Sequence, residues 1–347
     1  MDELLSEDQK LLRESAARLC ADVGGAKRAR ELRDSGADID TEAWEAIREA
    51  GWLGVLVPEA KGGAGLGAVE LYLLLEQVGR HAVMVPLIET TALAWLVSQS
   101  KDEMGLSALL AGRVMVPALA MDGWDFRAGK GAARAAFAAS AEEFLMFTHV
   151  AGEPALRLVP RDDPGLQFSV TRNVDGSSAT RLAYAGGAPV LVRGKEVDAV
   201  AARLGDLLAL GTAIELLGLC ESALAMTLEH LKTRKQFGHP LGSFQALQHR
   251  VVDGFVDLET NRALIHRVCV AWDTGTYEPA MIAAVKSRSA RIVADIMRTS
   301  LQFHGAIGYT DEHDIGILWK HSLALSARYG NELTQSDRFA RLTADEE

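Results

Sequence analysis

Two segments carry residue types at spacings suited to binding chemistry. The first is Arg234-Lys235-Gln236-Phe237-Gly238-His239-Pro240-Leu241-Gly242-Ser243-Phe244-Gln245-Ala246-Leu247-Gln248-His249. It places an Arg and an aromatic at a helix end, then a Gly-Pro turn, then a helix start. A guanidinium at such a corner suits bidentate pairing with a phosphate. The free N–H groups of the following helix add to that attraction. Phe237, Phe244 and Leu247 are placed to face a flat ring system. The pattern reads equally well as a helix hairpin with an incidental surface Arg, and local chemistry leaves the two readings even. The second segment is Leu301-Gln302-Phe303-His304-Gly305-Ala306-Ile307-Gly308-Tyr309-Thr310-Asp311-Glu312-His313-Asp314. Here a helix ends at small residues that allow close backbone approach, with the Gln302 amide beside the opening. Gly after a helix is also the ordinary C-cap, so this signal is weak alone.

Other chemistry-bearing patterns are missing. Gly62-Gly63-Ala64-Gly65 lacks the Lys-Ser/Thr of a P-loop and follows no strand–GxGxxG–helix pattern, so it reads as a loop. No HExxH or GxSxG occurs, and the nine histidines are scattered. Cys20, Cys220 and Cys269 lie far apart, with neither disulfide nor zinc spacing. The net charge of -11, from 36 Lys+Arg and 47 Asp+Glu, argues against a general nucleic-acid binder. No uninterrupted run of about 18 apolar residues occurs, so the reading is of a chain that does not span a membrane. The opening Met1-Asp2-Glu3-Leu4-Leu5 is acidic, unlike a signal or transit peptide, and the expectation is a cytoplasmic, bacterial protein.

The elements that must hold the two segments follow from periodicity. The chain of 347 residues is long enough for about two or three domains, and at 48% hydrophobic it can bury a sizeable core. Residues 1–112 read as helical. Ser6 and Gln9 form a capping box before Leu11, Leu12, Ala16, Ala17 and Leu19. Further helices run from about Thr41 to Ala50 and from about Ala68. Residues 113–195 break into short runs bounded by Gly, Pro, Asp and Asn: Val114–Leu119, Ala133–Ala138, Phe144–His149, Ala155–Val159, Leu166–Thr171 and Pro189–Val192. These predict a small antiparallel β-sandwich or barrel domain. Residues 196–347 return to helix, with long segments over Val197–Thr233, Ser243–Thr274 and Pro279–His304 and two shorter ones. Long adjacent helices of this kind pack as an antiparallel four-helix bundle. The fold class expected is mainly α with a small middle β domain.

Taken together, these segments resemble the acyl-CoA dehydrogenase family of flavoproteins. Arg-Lys-Gln-Phe-Gly-His-Pro-Leu…Phe-Gln-Ala-Leu-Gln-His resembles one family signature. Gln-Phe-His-Gly-Ala-Ile-Gly-Tyr-Thr-Asp-Glu-His resembles a second. Gly54-Val55-Leu56-Val57-Pro58-Glu59…Gly62-Gly63-Ala64-Gly65 resembles a third. The order, the spacing and the helix–β–helix division agree over essentially the whole chain. The resemblance implies FAD, shared at a dimer interface. Arg234 would pair with the pyrophosphate, flanked by Gln236 and Phe237. Leu241, Phe244 and Leu247 would line the adenine side, and Gln302 and Gly305 would complete the contact.

The same resemblance exposes two departures. The family's Thr-Glu-Pro-x-x-Gly-Ser-Asp-like stretch, which wraps the flavin ring, is replaced by Ala118-Leu119-Ala120-Met121-Asp122-Gly123-Trp124-Asp125-Phe126, and the β domain reads as shortened. The family's reaction removes a proton α to a thioester carbonyl while hydride leaves the β carbon for the flavin. That requires a carboxylate within reach of the α carbon. The two usual base positions hold Tyr329 and Leu208, and Tyr is a poor base with an ordinary pKa of about 10. Asp206 and Glu215 lie near Leu208 without taking its place, and Glu332 lies near Tyr329. The implied protein is the complementing subunit of a hetero-oligomer, similar to the short subunits of heteromeric steroid-side-chain acyl-CoA dehydrogenases. A homologous partner chain would carry the flavin ring and the Glu, as an α2β2 tetramer or a simple dimer. An acyl-CoA would be the substrate and an electron-transfer flavoprotein the acceptor. The alternatives are a homo-oligomer with a relocated base such as Glu332, or a non-catalytic scaffold.

Overall fold

Helix α7, Glu196–Thr233, is the axis about which a computed structural model of the chain is built. The structure describes residues 5–120 and 132–344. Helix α7 is long and apolar enough to cross a membrane by length and composition, but 89% of that apolar window is packed inside the protein. Its apolar residues therefore face other helices. Helices α8 (Gln245–Asp273) and α9 (Pro279–His304) pack beside it, with α10 (Asp314–Ala327) and α11 (Glu332–Thr343) completing the C-terminal bundle. Pro279 at the first position of α9 costs no hydrogen bond there.

The N-terminal helices are α1 (Glu7–Val23), α2 (Ala26–Ser35), α3 (Thr41–Glu49), α4 (Ala68–Arg80), α5 (Leu87–Ser98) and α6 (Glu103–Leu110). The capping box forms as expected: the Gln9 N–H donates to Ser6 Oγ at 3.1 Å and the Ser6 N–H to Gln9 Oε1 at 3.0 Å. Helix α4 lies directly on α7. A Cβ at Gly79 would strike the Glu215 carbonyl, and one at Gly218 the Glu76 carbonyl. Glycine at these two positions is what lets the backbones touch.

The middle region forms one seven-stranded sheet in the order β5-β6-β2-β1-β3-β4-β7. The strands are β1 (Met115–Ala120), β2 (Ala132–Ala136), β3 (Glu143–Val150), β4 (Glu153–Pro160), β5 (Leu166–Arg172), β6 (Ser178–Tyr184) and β7 (Val190–Arg193). This corrects the sequence reading in three ways. The sheet is not wholly antiparallel, because β1 and β3 run parallel. It is not a closed barrel, because β5 and β7 stand at opposite ends of the order. Strand β1 changes partner midway, pairing β3 through Met115–Ala118 and β2 through Leu119 and Ala120. Strand β6, unrecognised in the sequence, pairs with both β2 and β5. The alternation in β5 does not bury one face: Phe168 and Val170 stay exposed because β5 is an edge. Met121–Phe126, the second half of the altered flavin-ring stretch, lies outside the described residues.

Buried polar contacts lock the three regions together. The Ser178 N–H and Oγ–H both donate to Asp38 at 2.6 Å, joining the N-terminal helices to β6. Asp175, in the β5–β6 turn, contacts His321 Nδ1 on α10 at 2.9 Å. Each is a charge-assisted contact between elements distant in sequence.

Candidate functional site

The Arg234 segment forms a tight corner. Arg234 caps α7, its N–H donating to the His230 carbonyl at 2.8 Å. Lys235–Gln236 pairs antiparallel with His239–Pro240, and the connecting residues Phe237 and Gly238 have φ of 55° and 82°. Two consecutive positive φ values mark the two-residue hairpin turn that favours Gly. Leu241–Ser243 forms a single helical turn folded back on α7, with Gly242 close to Leu231. Phe244 then caps α8, and its ring meets Phe237 edge-on, centroids 6.2 Å apart at 88°.

The Gln302 turn lies at the same end of the bundle. His230, one turn before Arg234, stacks on His304, two residues after Gln302, with centroids 4.4 Å apart. Phe303 sits beneath the Arg250 guanidinium of α8 at 4.9 Å. Gly305 takes φ 68°, with open space where a side chain would stand. The structure therefore brings together both halves of the candidate site. Arg234, Gln236, Phe237 and Gln302 are exposed, while Leu241, Phe244, Leu247 and Gly305 are half-buried. Phe237 is 86% exposed. Among the described residues no carboxylate pairs with Arg234.

These donors fit a dinucleotide tail. Among the described residues the corner offers an unpaired guanidinium, two exposed primary amides, backbone N–H groups at the start of α8 and an aromatic pair of which Phe237 is exposed. Such a set suits a diphosphate beside an adenine.

The two base positions behave oppositely. Leu208 is fully buried in α7. Tyr329 is 6% exposed, and its hydroxyl donates to Glu89 Oε1 at 2.8 Å. Burial, then the Glu89 charge, raise its pKa well above the usual tyrosine value. Arg328 Nη1 donates to the same Glu89 oxygen at 3.3 Å, and its guanidinium lies over Phe137 at 4.7 Å. Glu215 joins this cluster. Burial pushes its pKa up to about 8, with Glu89 adding and Arg328 opposing. Lys286 Nζ donates to the Ser326 and Gly330 carbonyls, both at 2.8 Å, and Gln335 Nε2 donates to the Tyr329 carbonyl at 2.8 Å. The loop is held so firmly that Tyr329 sits at φ 54°, a strained value for an aromatic. Asp206 is paired with buried Arg338 instead. Glu332 lies exposed in the first turn of α11.

Sequence reasoning missed Glu89 and Arg328. Glu89 sits in an almost uniformly apolar helix, and a lone carboxylate in that setting was a usable signal.

Two family models match: acyl-CoA dehydrogenase, N-terminal domain, over residues 6–103, and acyl-CoA dehydrogenase, C-terminal domain, over residues 204–342. Acyl-CoA dehydrogenase IpdE2 of Mycobacterium tuberculosis is 29% identical over 321 residues, covering 91% of each chain. Acyl-CoA dehydrogenase FadE27 of the same organism is 28% identical, covering 82% of this chain and 83% of its own. The Tcur3481–Tcur3483 steroid acyl-CoA dehydrogenase superposes with a TM-score of 0.88 at 27% identity, covering 98% of each chain. The ChsE4–ChsE5 complex from Mycobacterium tuberculosis gives 0.86 at 25% identity, covering 99% of each. FAD is the cofactor, and oxidation of a CH–CH bond the reaction class, of this family. With helical, sheet and helical regions in the family's order and both domain models matched, the chain belongs to the acyl-CoA dehydrogenases.

Proposed function

We propose that this chain is the complementing subunit of a hetero-oligomeric acyl-CoA dehydrogenase. One observation carries the reading: the residue at the usual base position is a buried tyrosine whose hydroxyl is engaged by Glu89, while the residues suited to the flavin tail face solvent. The chain is thus equipped to hold a cofactor tail and not to abstract a proton. The bound flavin supplies the hydride acceptor. Arg234 would hold the diphosphate flanked by Gln236 and Phe237, Leu241, Phe244 and Leu247 would line the adenine side, and Gln302 and Gly305 would complete the contact. The proton-abstracting carboxylate and the flavin ring's enclosure come from a homologous partner chain.

Exposed apolar residues support such a partner. Val252, Phe255 and Val256 on α8, with Ile307 and Tyr309 beyond α9, leave apolar surface uncovered beside the corner. The likeness to a steroid acyl-CoA dehydrogenase and to a two-component complex supports a bulky polycyclic CoA thioester as substrate. An electron-transfer flavoprotein as acceptor and a cytoplasmic setting belong to the same proposal. The three cysteines are free and buried, which agrees with a reducing compartment.

The test is a visible spectrum. The chain purified alone should be nearly colourless, and co-expression with a homologue carrying the Glu should yield a yellow, active complex. A stoichiometric flavin band on the chain alone would overturn the proposal.

A further inference from the structure

Three imidazole rings are in successive contact next to the Arg234 corner. His230 and His304 are 4.4 Å apart between centroids, and His304 and His313 are 4.6 Å apart. They come from the last turn of α7, the last residue of α9 and the N-cap of α10. The Ile315 N–H donates to His313 Nδ1 at 3.2 Å, so neutral His313 carries its hydrogen on Nε2. His304 Nδ1 faces the Ser300 carbonyl at 2.8 Å and must donate to it. That leaves His304 Nε2 as a bare acceptor, buried and without a hydrogen-bond partner among the described residues. Such a group calls for an explanation.

The charged groups acting on the two rings nearest Arg234 are cationic, while Glu312 and Asp314, the latter paired with Arg30, flank His313 in the chain. The groups acting on His230 are Arg234 and His313, and those acting on His304 are His230 and His313. Arg250 of α8 stands nearby over Phe303. Burial first, then these neighbours, hold the His230 and His304 rings below the ordinary histidine pKa. Two helix C-termini, those of α7 and α9, also converge here and bring partial negative charge. The start of α8 offsets part of it. A diphosphate carries two negative charges, and the fixed cations on this side are Arg234, Lys235 and Arg250.

We propose that the His230–His304–His313 cluster is part of the flavin-tail site and takes up a proton from solvent when the diphosphate binds. This rests on the reading of the Arg234 corner as the diphosphate site. His230 is the half-buried ring one turn before Arg234 and carries the added charge. Neutral imidazole plus a solvent proton gives imidazolium, and no ligand bond is made or broken. The anion raises the cluster's affinity for protons, so by linkage a proton raises affinity for the anion. Binding tightens as pH falls through the bound-state pKa and levels off below the free-state value. The change reaches at most about tenfold per pH unit for one proton.

The test is calorimetry of FAD binding to the FAD-stripped complex of the full chain with its homologous partner near neutral pH, in two buffers of different ionisation enthalpy. FAD is a suitable probe because its diphosphate diester does not titrate in this range. Proton uptake on binding is expected, reduced in His230→Asn and in His313→Asn, the latter keeping a side chain able to cap α10. FAD binding that depends on Arg234 yet takes up no proton, or uptake unchanged in both variants, overturns the histidine inference alone. Binding indifferent to Arg234→Ala overturns the diphosphate site itself.

Discussion

Two regions of this chain treat the same classes of side chain in opposite ways. Around Tyr329 the charged and polar groups are buried and turned on one another: Glu89 receives both Tyr329 and Arg328, and Lys286 and Gln335 bind the loop's own carbonyls. Around Arg234 the same classes of group are exposed and unengaged. The difference teaches where ligand chemistry remains. Glu89 Oε1 is engaged twice while Glu89 Oε2 and Glu215 Oε1 are buried without a hydrogen-bond partner among the described residues, so the cluster depends on Arg328 for its counter-charge. A guanidinium left unpaired beside an exposed aromatic has its chemistry available for another molecule.

The largest effect should come from breaking the interior. Arg328→Ala leaves Glu89 and Glu215 in an apolar core without their counter-charge, and should cost about 3–5 kcal/mol in denaturant unfolding. A loss below about 1 kcal/mol would mean the cluster is not structural. At the corner, Arg234→Ala should lower flavin affinity of the complex ten- to a hundredfold, as expected for one charge-assisted hydrogen bond of about 1.5–3 kcal/mol. Unfolding of the chain should move by less than about 0.5 kcal/mol. If affinity holds while stability falls, the contrast between the regions is reversed.

Glu215 sharpens the comparison through pH. Its folded pKa of about 8 lies above the ordinary 4.5, so the folded form binds the extra proton between those values. Stability falls as pH rises through that window, by up to about 1.4 kcal/mol per pH unit. Glu215→Gln should remove the fall. Lys286, pushed down to about 7 by burial and by Arg328, acts in the opposite sense above that value. The difference between wild type and Glu215→Gln is therefore the measurement that isolates the acid.

Smaller still is Tyr329→Phe, which removes one buried hydrogen bond and should cost about 1–3 kcal/mol because Glu89 loses a donor. Tyr329→Glu should fail to create a dehydrogenase in the chain alone, since the new carboxylate would face Glu89. Turnover by that variant without a partner would show that the interior still accepts substrate. Phe237→Ala, at the exposed hairpin tip, should leave stability unchanged and weaken flavin retention only slightly.

Much of the corner was legible because it is local. Arg234 to Leu247 is one continuous segment whose Gly and Pro dictate its turn, and the three long bundle helices follow from uninterrupted periodicity. The sheet was less legible. Strand β6 reads Ser-Ala-Thr-Arg-Leu-Ala-Tyr, with too little apolar alternation to announce itself, and the parallel pairing of β1 with β3 is a long-range choice with no local mark.

What the sequence determined by itself is the order of helical and β regions, the family and the local turn that carries Arg234. Periodicity and short motifs are properties of neighbouring residues, and they survive without the fold. Only the tertiary structure decided that Tyr329 meets Glu89 across 240 positions, that Glu215 lies beside them, and that His230 stacks on His304. Burial and charge pairing arise when distant segments exclude water together, and those contacts separate the sealed interior around Tyr329 from the exposed corner at Arg234.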